Sequence, residues 1–351
     1  MDYYGKRITK FQKSMKCSYS VLFSDDYNSN VFYFAGFKGT GILIIPKKGR
    51  ATIFASNLDF GNIKNKSLNR KVFDKNIKDE IRKIIKKGSI IGFDFSTLSI
   101  NLSKYLKKMI RPKKPIDVSK ILIKQRATKD SYEINQIRKA CSESCDILAK
   151  CLKHIHNFKH EYGIKNYIES EIKRRGLDLA FDTIVASGKN AANPHYSSCK
   201  DKLRRGFLVI DFGAKVDGYC ADMTRTLFLG KPTQKEKDVY NKVLTVQKTS
   251  INMLNKNPPI NKVDEYARKE LGKHYIHSLG HGVGLDIHEY PRISVKNKEK
   301  LENNICFTIE PGIYNKFGIR IEDTMIKLNN KIKILTPFTK GLITINNKVY
   351  K

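Results

Sequence analysis

Short apolar runs separated by turn residues dominate the first third of the chain. NVFYFAGF, TGILIIP and RATIFAS are rich in β-branched and aromatic residues and are bounded by Gly and Pro, so each predicts a strand. Between Asp74 and Lys87 the period changes. Ile77, Ile81, Ile84 and Ile85 recur at helical spacing, and Gly88 follows as a stop. SIIGFDF predicts a further strand, and Leu102–Ile110 a further helix. The mixture predicts a small α/β domain over residues 1–123.

Residues 124–351 carry a second pattern. In RATKDSYEINQIRKACSESCDILAKCL, Asp130 or Ser131 can cap a helix and Glu133 falls in its first turn. Ile134, Ile137, Cys141, Cys145 and Leu148 form its apolar stripe. Two more helices are expected around Tyr167–Arg175 and Glu236–Leu254, with long strands between and after them. No short repeat or low-complexity linker interrupts the pattern.

Composition narrows the class. The 351 residues are 40% hydrophobic, enough for two packed domains and too much for a disordered chain. No run of 18 apolar residues occurs, so no membrane span is expected. The N-terminus, MDYYGKRITK, has no apolar stretch behind its charges and does not read as a signal peptide. The seven cysteines are scattered without CxxC spacing, which predicts reduced thiols in a cytoplasm rather than disulfides or a zinc knuckle. The net charge of +33 raises the question of nucleic acid. The lysines, however, are spread through every segment without interleaved aromatics. They read as a solvated surface, and nucleic acid is not an expected partner.

The richest chemistry lies in FLVIDFGAKVDGYCADMTRTLFLG. Two β-rich runs flank Asp217-Gly218, a strong hairpin signal. With that turn, Val216 pairs with Tyr219 and Asp211 lies opposite Thr224. Asp222 then shares the face of Asp211, within ~7–8 Å across the ladder. Two such carboxylates can converge on metal ions ~3.5–4 Å apart. The apolar setting of Asp211, after LVI, is poor for an unpaired charge.

HSLGHGVGLDIHEYP adds His277, His281 and His288 in a glycine-rich stretch that lets backbone approach a ligand closely. NICFTIEPGIYNKFGIRIEDTMIKL adds two β runs around a PGIYNKFG connection. Glu310 ends the first and Glu322 lies inside the second, with Arg320 two residues earlier on the same face. Asp211, Asp222, His281, Glu310 and Glu322 thus make a set of four carboxylates and one imidazole, which two divalent ions would balance. Oxygen-rich ligation favours Mn, Fe(II) or Co over a thiolate-type zinc site.

The ordered motifs FDTIVASGKNAANPHY, VIDFGAKVDGYCADMTRT, HSLGHGVGLDIHE, TIEPGIY and GIRIEDT resemble the proline-specific metallopeptidases that share the pita-bread fold with methionine aminopeptidase. The resemblance covers nearly all of 124–351. It implies a pita-bread catalytic domain with those five residues as ligands of two ions, Mn(2+) or Co(2+), that share a bridging hydroxide. NVFYFAGFKGTGILII looks like the extra N-terminal domain of prolidase, aminopeptidase P and creatinase, giving an α/β (α+β) protein of two domains. ASNLDF departs from that domain's usual aspartate–arginine pattern.

By the same resemblance Glu310 is also the base and His288 the donor to the developing oxyanion. His195 contacts the substrate backbone, and His277 lines the proline pocket. Arg292, in HEYPR, and Arg320 are the two arginines that could hold a free substrate carboxylate. Arg320 has the alternative of orienting a ligand carboxylate. The implied activity is that of an Xaa-Pro dipeptidase on dipeptides or short peptides, working as a homodimer. Aminopeptidase P, which takes longer peptides, is the alternative. Creatinase works without metals, whereas all five ligands stand here. Methionine aminopeptidase lacks the extra N-terminal domain.

Overall fold

The computed structural model describes residues 2–346 and divides the chain after Arg126. In the first unit come α1 (Tyr3–Ser14), β1 (Tyr19–Ser24), α2 (Ser29–Ala35), β2 (Gly41–Pro46), β3 (Thr52–Ala55) and β4 (Asn69–Val72). They are followed by α3 (Ile77–Ile84), β5 (Ile90–Phe93), α4 (Ile100–Ile110), β6 (Lys114–Asp117) and α5 (Ser119–Ala127). The strands form one sheet in the order β4-β3-β2-β1-β5-β6. Ile77, Ile81 and Ile85 of the predicted helical stripe pack with Val21, Ile42, Phe54 and Ile91 of the strands. The split expected after residue 123 lies inside α5, whose last turn reaches Ala127.

One expected strand is a helix. NVFYFAGF forms α2, buried along its whole length. An unbroken apolar run has no period, so it fits a buried strand or a buried helix equally. The ends decide. The Asn28 side chain accepts from the N–H groups of Asn30 and Val31, and Gly36, at φ 59°, stops the helix in the left-handed region.

The second unit opens with α6 (Ser131–Lys153) and α7 (Glu161–Arg174). Asp130 and Glu133 form a reciprocal capping box at the start of α6. Next come β7 (Asp178–Leu179), β8 (Ile184–Ser187), β9 (Gly206–Phe212), β10 (Ala214–Val216), β11 (Tyr219–Cys220) and β12 (Met223–Leu229). After α8 (Gln234–Asn255) and α9 (Ile260–Leu271) come β13 (Gly280–Gly282), β14 (Glu289–Ile293), β15 (Cys306–Ile309) and β16 (Gly312–Tyr314). β17 (Gly318–Arg320), β18 (Asp323–Leu328), β19 (Lys331–Ile334) and β20 (Thr344–Ile345) close the unit. Two sheets matter for the site: β20-β12-β9-β8, and β14-β13-β15-β18-β19. Helix α8 packs its apolar face, with Tyr240, Val243 and Leu254, into a core shared with Phe307 and Met325.

Candidate metal centre

The hairpin forms as its turn dictates. Asp217 and Gly218 take φ 46° and 86°, the doubly left-handed pair of a type I′ turn. Val216 pairs with Tyr219, and Asp211 with Thr224. Gly213 stands opposite Asp222, where a Cβ would lie 1.8 Å from the Ala221 carbonyl oxygen. Only glycine lets the two arms close there, and that closeness sets Asp222 beside Asp211. Thr324 fixes Asp222 from the other sheet: its hydroxyl donates to the Asp222 carbonyl at 2.6 Å and accepts from the Asp222 N–H at 3.1 Å.

The second set converges on the same point. His281 sits in β13, where glycines flank it because a Cβ on Gly280 would strike the Thr308 carbonyl at 2.0 Å. Its Nδ1 faces the Gly282 carbonyl at 3.1 Å. A carbonyl only accepts, so Nδ1 carries the proton and Nε2 presents a lone pair. That Nε2 lies 3.5 Å from Asp222 Oδ2 and 3.4 Å from Glu310 Oε1. Glu310 follows β15 directly, its N–H bound to the Leu279 carbonyl at 2.8 Å. Glu322 is not inside a strand, as expected, but in the break between β17 and β18. There its N–H reaches the Thr224 carbonyl at 3.1 Å, and its carboxylate accepts from the Thr224 hydroxyl at 2.7 Å. Ligand atoms of Asp222, His281 and Glu322 all lie within 4.8 Å of one another. Neighbouring Asp323 points elsewhere, accepting from Arg225, Gln247 and Lys340 at 2.7–2.8 Å.

Three buried carboxylates, Asp211, Asp222 and Glu322, and the half-buried Glu310 face one buried guanidinium, that of Arg320. Asp211 Oδ2 accepts from it, while Asp211 Oδ1 is buried with no partner. Burial, then the neighbouring Glu322, pushes Asp222 and Glu310 well above the ordinary carboxylate range. Burial and Asp211 raise Glu322 to about 7. His281 is pushed down to about 3 by burial and by His288. A neutral imidazole, an orphaned carboxylate oxygen and an excess of buried acid together fit a pair of divalent cations.

All the other predicted site residues line the same cavity, of about 690 Å³. His195 lies on the loop after the short turn Asn190–Ala192, and His288 stands edge-on to His281 with ring centroids 4.4 Å apart. Phe181, Ile184 and Ile287 supply an apolar wall. Arg292 is the direct cross-strand partner of His281. Its Nε donates to the Ser278 hydroxyl at 2.6 Å, and its terminal nitrogens have no protein partner among the described residues. Arg320 differs: it donates to Thr224 at 3.0 Å, to Tyr314 at 3.1 Å, to the Pro194 carbonyl at 3.3 Å, and to Asp211. Tyr314, which no sequence signal singled out, links Arg320 to His277 Nε2 at 3.0 Å. Its place in TIEPGIY, four residues after Glu310, is the one clue the sequence held.

The electrostatics set a pH dependence for metal-free protein. A carboxyl raised in the folded state holds a proton that the unfolded chain releases, so stability falls as pH rises through that interval. The histidines oppose this below about pH 6.5, because His277 and His281, lowered to about 4 and about 3, gain protons only on unfolding. Above pH 6.5 the histidine contribution fades and the carboxyls dominate. Metal-free protein is therefore expected to lose on the order of 1 kcal/mol per pH unit between pH 6.5 and 7.5. Saturating divalent metal should remove the loss. Denaturant titrations at the two pH values, with and without metal, measure it; a metal-free protein more stable at pH 7.5 would contradict it.

Residues 135–326 match the model of metallopeptidase family M24, and residues 7–128 match the creatinase/prolidase N-terminal domain. The Xaa-Pro dipeptidase of Pyrococcus furiosus is 34% identical over 90% of this chain and 92% of its own length. Among solved structures, the prolidase of Pyrococcus horikoshii superposes with a TM-score of 0.86 at 31% identity, covering 97% of this chain and 99% of that one. The X-Pro aminopeptidase of Thermotoga maritima gives 0.87 at 27% identity, over 96% and 100% of the two chains.

Proposed function

The chain belongs to metallopeptidase family M24, and from that premise we propose that it is an Xaa-Pro dipeptidase, hydrolysing the bond before proline with a pair of divalent ions. The observation that carries this reading is the pairing of His281 with Arg292 across β13 and β14. It puts a guanidinium with open donors in the same cavity as the carboxylate cluster.

Asp211, Asp222, His281, Glu310 and Glu322 would hold the ions, which when bound acidify a water and polarise the scissile carbonyl. The oxygen-rich donor set supports Mn(2+) or Co(2+). Glu310, whose burial favours a held proton, takes the proton of the attacking water and returns it to the proline nitrogen as the bond breaks. His288 is kept neutral by burial and offers an N–H to the oxyanion. His195 reaches the substrate backbone from the opposite loop, and His277, held by Tyr314, flanks the proline. Arg320 positions Asp211 rather than substrate, since most of its five donors are already taken inside the protein.

All seven cysteines are free, which supports a reducing, cytoplasmic setting. No described helix is long and apolar enough to cross a membrane. A homodimer is expected by analogy with the family, and light scattering would measure it.

Arg292 separates the dipeptidase from the aminopeptidase P reading. A charged hydrogen bond to the proline carboxylate contributes about 1.5–3 kcal/mol. Arg292→Ala should therefore lower kcat/KM for an Xaa-Pro dipeptide by roughly 10- to 150-fold. An Xaa-Pro-Yaa tripeptide puts no carboxylate there, so its hydrolysis should change little. If both substrates slow equally and wild type cleaves them equally well, the clamp is wrong and aminopeptidase P is the better reading.

A further inference from the structure

The charge of +33 is shared unevenly. Residues 1–126 hold 28 Lys and Arg against 9 Asp and Glu, a net +19; the longer second unit holds 39 against 25, a net +14. The fold of the first unit then sorts its charges by end. β1, β5 and β6 run parallel, β2 runs antiparallel to β1, β3 antiparallel to β2, and β4 parallel to β3. The starts of β1, β3, β4, β5 and β6 and the end of β2 therefore fall at one end of the sheet.

Five segments meet there: KSMKCS (13–18), PKKGR (46–50), KSLNR (66–70), KKGS (86–89) and RPKK (111–114). Together they carry twelve Lys and Arg, all exposed, and no Asp or Glu. None of the twelve forms an ion pair with a carboxylate among the described residues. The opposite end holds Asp25, Asp26, Asp59, Asp74, Asp94 and Asp117 beside Lys38, Lys75 and Lys120, each at or near a strand terminus. Lysines that look evenly scattered in sequence thus fold into a polarised body.

The basic end is fixed rather than loose. Lys47 Nζ donates to the Lys13 and Met15 carbonyls at the end of α1. The Arg50 guanidinium donates to the Lys66 carbonyl at 3.2 Å and to that of Ser67. The Lys113 N–H binds the Ser89 carbonyl at 3.0 Å. Neighbouring segments are tied side by side across six strands, roughly 24 Å at the usual strand spacing.

We propose that this end of the first unit binds double-stranded DNA through its phosphate backbone, independent of sequence. The charged groups of the five segments are all cationic donors. None of the large exposed hydrophobics among the described residues lies in the five segments. This end therefore lacks the apolar face that seats an interfacial helix in a lipid surface and the aromatic platform on which unstacked bases rest. Within the five segments no carboxylate stands ready to accept from the 2′-hydroxyls of an RNA duplex. A DNA backbone presents acceptors alone, about one phosphate per 1.7 Å of axis, and matches this end in sign and span.

The test is fluorescence anisotropy of the full metal-loaded chain with a 24-base-pair DNA duplex over about 50–200 mM salt. Two quadruple variants change the net charge equally: Lys16, Lys48, Lys86 and Lys113→Glu at the basic end, and Lys235, Lys242, Lys269 and Lys298→Glu on the second unit. Wild type should weaken about 10³-fold across that salt range. The basic-end variant should bind at least about 100-fold more weakly at 100 mM salt, with a log–log salt slope smaller by about 3–4. The second-unit variant should lose less than about 10-fold, and peptidase activity should be equal in all three. Equal losses in both variants would reduce the effect to net charge and overturn the site. So would no binding at 50 mM salt, or tighter binding to an RNA duplex, a single strand or anionic vesicles.

Discussion

Glu310→Gln is expected to lower kcat for an Xaa-Pro dipeptide by about 10²–10⁴-fold, the usual cost of losing a general base. Glutamine keeps the shape and one carbonyl oxygen for ligation but cannot take a proton. The backbone here is pinned independently by the Glu310 N–H to the Leu279 carbonyl, so the side chain should stay in place. The loss should fall on kcat with KM nearly unchanged, because the proton moves only in the transition state. Metal content, measured on the same samples, separates this from lost ligation. A fully loaded glutamine variant with near-normal kcat would remove Glu310 from the proton transfer.

Asp222→Asn should act through the metal instead. Removing partners that only orient ligands costs 10–100-fold in affinity, so removing a charged ligand should cost at least about 10²-fold. Hydrolysis at limiting metal should fall in step and recover partly at high metal. Thr324 holds Asp222 by its backbone, so the fold should survive. The substitution also has a sign that few destabilising changes share. It removes one of four crowded acids, raised by burial and by Glu322. The metal-free variant should therefore be more stable than metal-free wild type at pH 7.5, whereas the metal-loaded variant should be less stable. Thermal unfolding with and without metal reads both; unchanged metal occupancy would contradict the ligand assignment.

Asp211 and Asp222 could be paired from sequence because one two-residue turn fixes every register behind it, from Val216 to Asp211. Period-2 geometry carries that information over a dozen residues without loss. Other features were not local. NVFYFAGF reads as a strand because its apolar run is unbroken, and only the Asn28 cap and Gly36 stop reveal the helix. The pattern around Glu322 predicts a continuous strand, yet the chain breaks there to turn its carboxylate toward Thr224. The division of labour between Arg292 and Arg320 was illegible too. Both are arginines near glutamates in sequence, and only their partners distinguish an internally satisfied guanidinium from an open one. Strand order likewise decides what a lysine means. Five basic segments separated by 15 to 27 residues become one face only when β1 is known to lie between β2 and β5.

The central claim is tested most directly by stripping the protein of metal, adding Mn(2+) or Co(2+) in counted equivalents, and following hydrolysis of an Xaa-Pro dipeptide beside the matching tripeptide. No activity should remain after stripping. Activity should return fully by two equivalents per chain and should favour the dipeptide. Full activity in metal-free protein, or a reloaded protein that leaves the dipeptide intact, would contradict the assignment.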